Sequence, residues 1–173
     1  MKPTGPHARP ASDITTLILK IFEANGRLIL AGDRLVAPLG LTSARWQLLG
    51  AITASREQLT TADLARRIGV SRQAVQRIVH ELSEENIVVL TPNPRHKRAQ
   101  LIELTDKGAL IYQEALALQQ PWAEDLVQGL KPQQITDAIA TLDALSRKLS
   151  IAPSDFDPGI LPPVSIPPLR RGQ

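Results

Sequence analysis

The chain has 173 residues, enough for one domain with extensions and too few for two sizeable ones. Apolar residues make up 43% but only Phe22, Trp46, Tyr112, Trp122 and Phe156 are aromatic, so the core is aliphatic, which favours helices over an all-β fold. The absence of cysteine excludes disulfides, thiolate metal sites and a thiol redox sensor. No apolar run reaches the ~18 residues of a membrane span, and the basic opening MKPTGPHARP leads into no signal-peptide apolar stretch, so a cytoplasmic protein is expected. The net charge of +3 is unevenly spread. Residues 61–80 carry +3, residues 91–100 carry +3, and residues 109–150 carry −2. Basic charge gathered in mid-chain is the footprint of a nucleic-acid binder, although ordinary solvated charge also fits.

Residues 1–11 hold three prolines and a glycine and read as a flexible N-terminal arm. Ser12 or Asp13 caps a helix in which Leu17, Ile18, Ile21, Leu28 and Leu35 recur at helical spacing, ended by Pro38 and Gly40. Thr42 caps the next helix, 43–54, with Trp46, Leu49 and Ile52 on its apolar side. Thr60 or Thr61 caps a short helix, ADLARRIG, and Ser71 caps a longer one, RQAVQRIVHELSEE. The period then changes: 87–92 and 99–104 are β-rich runs joined by the polar segment NPRHKR, the signature of a hairpin. Thr105 caps a last helical region, 106–150, which Pro121 and Pro132 are expected to split. The remaining 151–173 hold six prolines and read as an extended tail with apolar anchors such as Phe156 and Leu161.

Residues 61–80 carry the strongest constellation. Leu64, Ile68, Val70, Val75 and Ile78 supply apolar contacts, Ala65 allows close approach, and Gly69 permits the positive φ of a tight turn. Together these features form a helix-turn-helix. On its second helix Val75, Ile78, Val79 and Leu82 share one face. The opposite face carries Gln73, Gln76, Arg77 and His80, flanked by Arg72. Gln and Arg pair bidentately with adenine and guanine edges, and the helix start at Ser71 offers amides to a phosphate. Thr61 at the start of the preceding helix joins this set. The hairpin tip bears Arg95, Lys97 and Arg98, placed to enter a minor groove.

The segments LTSARWQLLGAI, LTTADLARRIGVSRQAVQRIVHELSEENIV and TPNPRHKRAQLIELTDKG, in that order, resemble the MarR family of bacterial regulators over residues 12–150. Leu104, Thr105 and Gly108, leading from the hairpin into the last helices, are a specific part of the likeness. The resemblance implies a mostly α fold with a small β-hairpin wing. That fold comprises a dimerisation helix (12–40), a winged helix-turn-helix (41–105) and C-terminal dimerisation helices (106–150). It further implies a homodimer on double-stranded DNA, repression of a palindromic operator, relief by a small, often aromatic, ligand, and Arg95 as the minor-groove residue. Leu35, Trp46 and Tyr112 are candidates to line a ligand pocket, with plain core as the other reading of Trp46. Three departures stand out. Asn86 replaces a glycine at a helix end, Asn93 and His96 replace acids that orient the wing arginines, and the Pro-rich tail is additional.

No catalytic set appears: His7, His80 and His96 are far apart, and no phosphate-cradling loop or metal-spaced cluster occurs. Neither an enzyme nor a cofactor, metal or membrane partner is expected. The alternative to a DNA-binding regulator is a winged-helix protein-interaction module using the tail as a docking peptide.

Overall fold

The computed structural model describes residues 10–96 and 98–149, so the arm up to residue 9, Lys97 and the Pro-rich tail lie outside the described residues. The chain forms two compact units that divide after Leu126.

The first unit opens with α1, Pro10–Val36, 27 residues long. It begins two residues before the expected caps because proline at a first helical position gives up only an amide that has no intrahelical partner. Lys20, Glu23 and Arg27 form an exposed ion-pair ladder, and the Lys20 ammonium holds the Glu23 carboxyl below the usual carboxylate range. A single 3-10 turn, Ala37–Leu39, contains Pro38, and the chain then enters α2, Ser43–Thr53. The Thr42 hydroxyl accepts from the Arg45 amide as its cap. Leu48 and Leu49 are the fully buried apolar residues of α2, whereas Trp46 and Ile52 are half-buried at its flanks.

α3, Thr61–Ile68, and α4, Arg72–Glu84, form the helix-turn-helix. Between α2 and α3 lies a strand that periodicity does not reveal: β1, Leu59–Thr60. It pairs antiparallel with β3, Leu101–Leu104, which pairs in turn with β2, Val88–Thr91. The expected hairpin is therefore part of a three-stranded sheet of order β1-β3-β2, and its strands are shorter than the apolar runs. Ile102 and Val88 turn inward onto a core formed with Leu48, Leu49, Leu64, Val75 and Leu82. The chain is thus mostly helical with a small wing sheet.

α5, Asp106–Leu126, follows directly. The Thr105 hydroxyl accepts from the Gly108 amide and donates to the Asn86 carbonyl, tying the start of α5 to the end of α4. Gly108 is required here, because a Cβ would collide with the carbonyl oxygen of Ile87. The sequence predicts a break at Pro121, yet α5 runs through it. The proline removes one donor, at a cost of about 3 kcal/mol, but a helix already anchored through Gly108 and Ala115 propagates past it.

The second unit contains α6, Pro132–Leu149, with its proline at the first helical position. Ile139, Leu142 and Leu149 are exposed on it. Among the described residues no helix is long and apolar enough to cross a membrane.

Candidate nucleic-acid interface

Local hydrogen bonding fixes the helix-turn-helix at each corner. Thr60 caps α3 in a reciprocal box: its hydroxyl accepts from the Asp63 amide, and the Asp63 carboxylate accepts from the Thr60 amide at 2.9 Å and hydroxyl at 2.6 Å. These bonds, the Thr60 hydroxyl foremost, hold the Asp63 carboxyl below its usual range, and Arg66 beside it adds to the effect. Gly69 ends α3 with φ 72°, in the left-handed region. Both the Gly69 and Val70 amides donate to the Ala65 carbonyl, at 3.0 and 3.1 Å. Ser71 then caps α4 by accepting from the Ala74 amide at 3.2 Å. Val70 departs from expectation: it is 45% exposed, because the turn places it outside the seam that Leu64, Ala65, Val75 and Ile78 close.

At the far end of α4, Asn86 has φ 56°. The Ile87 amide donates to the Leu82 carbonyl and the Asn86 amide to the Ser83 carbonyl, at 2.8 and 3.0 Å. Asparagine thus takes the left-handed position that glycine usually fills at a helix end. Arg45, nearly buried on α2, reaches the Gly40 carbonyl at 2.9 Å and the Glu85 carboxylate at 2.6 Å. Lys107 donates to the Glu85 carbonyl at 2.8 Å. The C-terminal end of α4 is therefore held from two other helices.

This scaffold sorts the faces of α4 cleanly. Val75, Ile78, Val79 and Leu82 are buried, while Arg72, Gln73, Gln76, Arg77 and His80 are all exposed. Arg77 lies 3.9 Å from Glu81 and His80 3.5 Å from Glu84, so acids sit behind the predicted reading side chains, toward the C-terminal half. A cleft of about 300 Å³ separates α4 from the wing and gathers Thr61, Arg72, Gln76, His80 and Arg98 along its walls. Gln100, which sequence reasoning missed, lines it too. Arg72, Gln76, Arg98 and Gln100 all carry donors suited to phosphate or base edges. Gln73 and Arg77 lie outside the cleft lining, on the exposed surface of α4.

At the wing tip the Asn93 side-chain oxygen accepts from the Arg95 amide at 2.9 Å and the His96 amide at 3.3 Å, closing the turn. Arg95 borders a second cleft, about 580 Å³, with Arg56, Asp63 and His96. Lys97 falls outside the described residues. The sequence also leaves unseen a link at the base of the wing, where Glu103 accepts from Gln58 and Thr91. The pocket candidates Leu35, Trp46 and Tyr112 are half-buried and pack against the main core, from α1, α2 and α5 respectively.

The sequence profile of the MarR family matches residues 39–99. An uncharacterized protein of Mycobacterium tuberculosis, Rv2011c, is 38% identical over 103 residues, 60% of this chain and 71% of that protein. The multiple antibiotic resistance protein MarR of Escherichia coli is 28% identical over 149 residues, 86% of this chain and 99% of its own. Among solved structures, the transcriptional regulator MosR of M. tuberculosis in complex with DNA superposes with TM-score 0.65 at 26% identity, covering 78% of this chain and 98% of MosR.

Proposed function

The chain belongs to the MarR family of DNA-binding transcription regulators, and from that premise we propose that it represses transcription by binding a palindromic operator as a homodimer. One α4 enters the major groove of each half-site. Gln73, Gln76 and Arg77 read base edges there, Arg72, His80 and the α3 start at Thr61 hold the backbone, and Arg95 and Arg98 reach the flanking minor groove. The observation that carries this reading is the sorting of α4: every predicted reading side chain is exposed, and Val75, Ile78, Val79 and Leu82 on the same helix are buried. Dimerisation is supported by α1, which leaves Leu19, Phe22 and Leu30 more than half exposed, and by Ile139 and Leu149 on α6. Contiguous exposed apolar surface marks an interaction site.

Selection of bound sequences from a random duplex pool tests the whole reading. The expected result is an inverted repeat with half-sites about 10 base pairs apart, one helical turn. Single half-sites would remove the dimer, and no enrichment would remove sequence readout. Replacing Arg95 and Arg98 with alanine should lower the log–log salt slope by about 0.9 for each phosphate that the wing no longer neutralises. An unchanged slope and affinity would take the wing out of the interface.

We also infer that a small aromatic ligand relieves repression by binding beside Leu35, Trp46 and Tyr112. All three are half-buried against the main core, from α1, α2 and α5 respectively, so a ligand beside them would bear on the helices behind α4. The test is titration with aromatic carboxylates while following Trp46 fluorescence in a Trp122→Phe background. Quenching together with release of operator DNA supports relief; release without quenching, or neither, counts against this site.

A further inference from the structure

The wing loop, residues 92–100, carries no acid that could pair with Arg95 or Arg98, so the orientation of the wing has to be set from another part of the sheet. The base of the sheet supplies it. Glu103 is half-buried on β3, the middle strand. One of its carboxylate oxygens accepts from the Gln58 amide nitrogen at 2.6 Å and from the Thr91 hydroxyl at 2.8 Å. Gln58 immediately precedes β1, and Thr91 is the last residue of β2, so a single oxygen links both outer strands to the centre. Bonds to an ionised acceptor are roughly twice as strong as neutral ones. From Thr91 the chain passes through Pro92 to Asn93, whose side chain closes the turn that carries Arg95. The connected path therefore runs from the loop before α3 to the wing tip.

An acid in this place has an electrostatic cost, because it opposes the approach of a polyanion to a basic segment. Its two bonds give it a use that offsets that cost. Two strand residues alone, as in β1, hold a sheet edge weakly, and the wing loop leaves the sheet at Thr91 of β2 and rejoins it at Leu101 of β3. We propose that Glu103 is the positioning residue that sets the angle of the wing against α4 and thereby determines preference at the base pairs flanking the half-site. This rests on the reading that Arg95 and Arg98 contact DNA. Glu103 itself touches no base; it acts through Thr91 and Gln58.

The test compares Glu103→Ala, Glu103→Gln and the double variant Gln58→Ala/Thr91→Val on a panel of duplexes. The panel varies bases in the flank and, separately, those under α4. Glu103→Ala is expected to erase flank preference to within about twofold and to weaken binding by about tenfold, leaving preference under α4 intact. Glu103→Gln keeps the acceptor oxygen and should retain flank preference, while the double variant should reproduce the loss with its carboxylate still present. Thermal melting of each variant is measured alongside. Flank preference that persists in Glu103→Ala and the double variant, but disappears in Arg95→Ala/Arg98→Ala, overturns the role of Glu103 and leaves the wing reading standing. Flank preference that persists in the arginine variant as well removes both. A uniform loss at all positions with a lowered melting temperature would make Glu103 a fold-supporting residue only, and would also overturn the proposal.

Discussion

α1 and α4 are both helices with apolar residues at helical spacing, and they end in opposite situations. On α4 the apolar face is covered within the chain, and what remains outside is Arg, Gln and His, with Glu81 and Glu84 toward the C-terminal end. On α1 large apolar residues stay outside: Leu19 is 63%, Phe22 69% and Leu30 61% exposed, and among its described residues only Gly32 and Val36 near its end are buried. The same pattern therefore has two meanings. A covered apolar face releases the polar face for a polar partner, DNA in the function proposed above. An uncovered one calls for an apolar partner, and at about 100° per residue positions 19, 22 and 30 fall on one side of the helix. In the function proposed above, one helix displays the DNA-binding surface and the other the assembly surface.

The sharpest way to break this contrast is to make the outer side of α1 polar. In Leu19→Lys/Phe22→Lys, the dimer forgoes the burial of two large side chains, roughly 1.5–3 kcal/mol apiece. The Kd for dimer dissociation should rise by at least about a hundredfold. Sedimentation at micromolar concentration should then show monomer where the parent shows dimer, with the helical circular dichroism of the first unit retained. A dimer of unchanged stability would mean that α1 faces solvent, and the assembly surface would have to be sought elsewhere.

Much of the α4 side of the contrast is legible in the sequence, because it depends on local signals. Thr42, Ser71 and Gly69 announce a cap, a cap and a turn through their own chemistry, and all three do so in the structure. Asn86 is readable in the same way, since few residues tolerate a positive φ. What escapes is made by partners distant in sequence. β1 spans two residues, too short for any period, and exists only through pairing with β3 more than forty positions later. With β1 unseen, the bridge from Gln58 to Glu103 is unseen as well. Gly32 is a poor helix former inside α1, yet Ser43 and Trp46 of α2 pack against it, and a Cβ there would lie only 2.5 Å from the Ser43 hydroxyl oxygen. Pro121 misleads for a related reason: its penalty is local, whereas the anchoring of α5 is tertiary.

A smaller effect separates readout from attachment on α4 itself. Gln73→Ala and Arg77→Ala should each cost about 1–3 kcal/mol at one base pair while leaving binding to unrelated duplexes nearly unchanged. Both side chains are exposed, and Arg77 is only loosely drawn toward Glu81 at 3.9 Å, so neither substitution disturbs the buried face. Competition assays with single-base operator variants provide the measure. Equal losses on every sequence would reassign these residues to phosphate binding, and the polar face would then be an adhesive surface instead of a reading surface.

The smallest expected effect concerns the scaffold beneath α4 and has a definite pH signature. The Thr60 hydroxyl and amide hold the Asp63 carboxyl below its usual range, so the folded protein binds that proton less readily than the unfolded chain does. A depressed carboxylate adds stability that is fully present above its unfolded pKa, near 4, and is lost as pH falls through the lower folded value. In Asp63→Asn the ionised acceptor is gone at every pH. The melting temperature of the parent should therefore exceed that of the variant near neutrality, and the gap should close as the solution is acidified below about pH 4. The gap itself is modest, because the Asp63 side chain is about one-third exposed and water screens its interaction with Arg66. Thr60→Ala removes the other half of the same box and should cost on the order of 1 kcal/mol. Unlike the carboxylate, a hydroxyl does not titrate in this range, but its main partner does, so the Thr60→Ala deficit should also shrink in acid. A gap in Asp63→Asn that stays constant down to about pH 3, below the ordinary carboxylate range, would show that the carboxylate charge contributes nothing, and that the gap comes from the uncharged hydrogen bonds of the box.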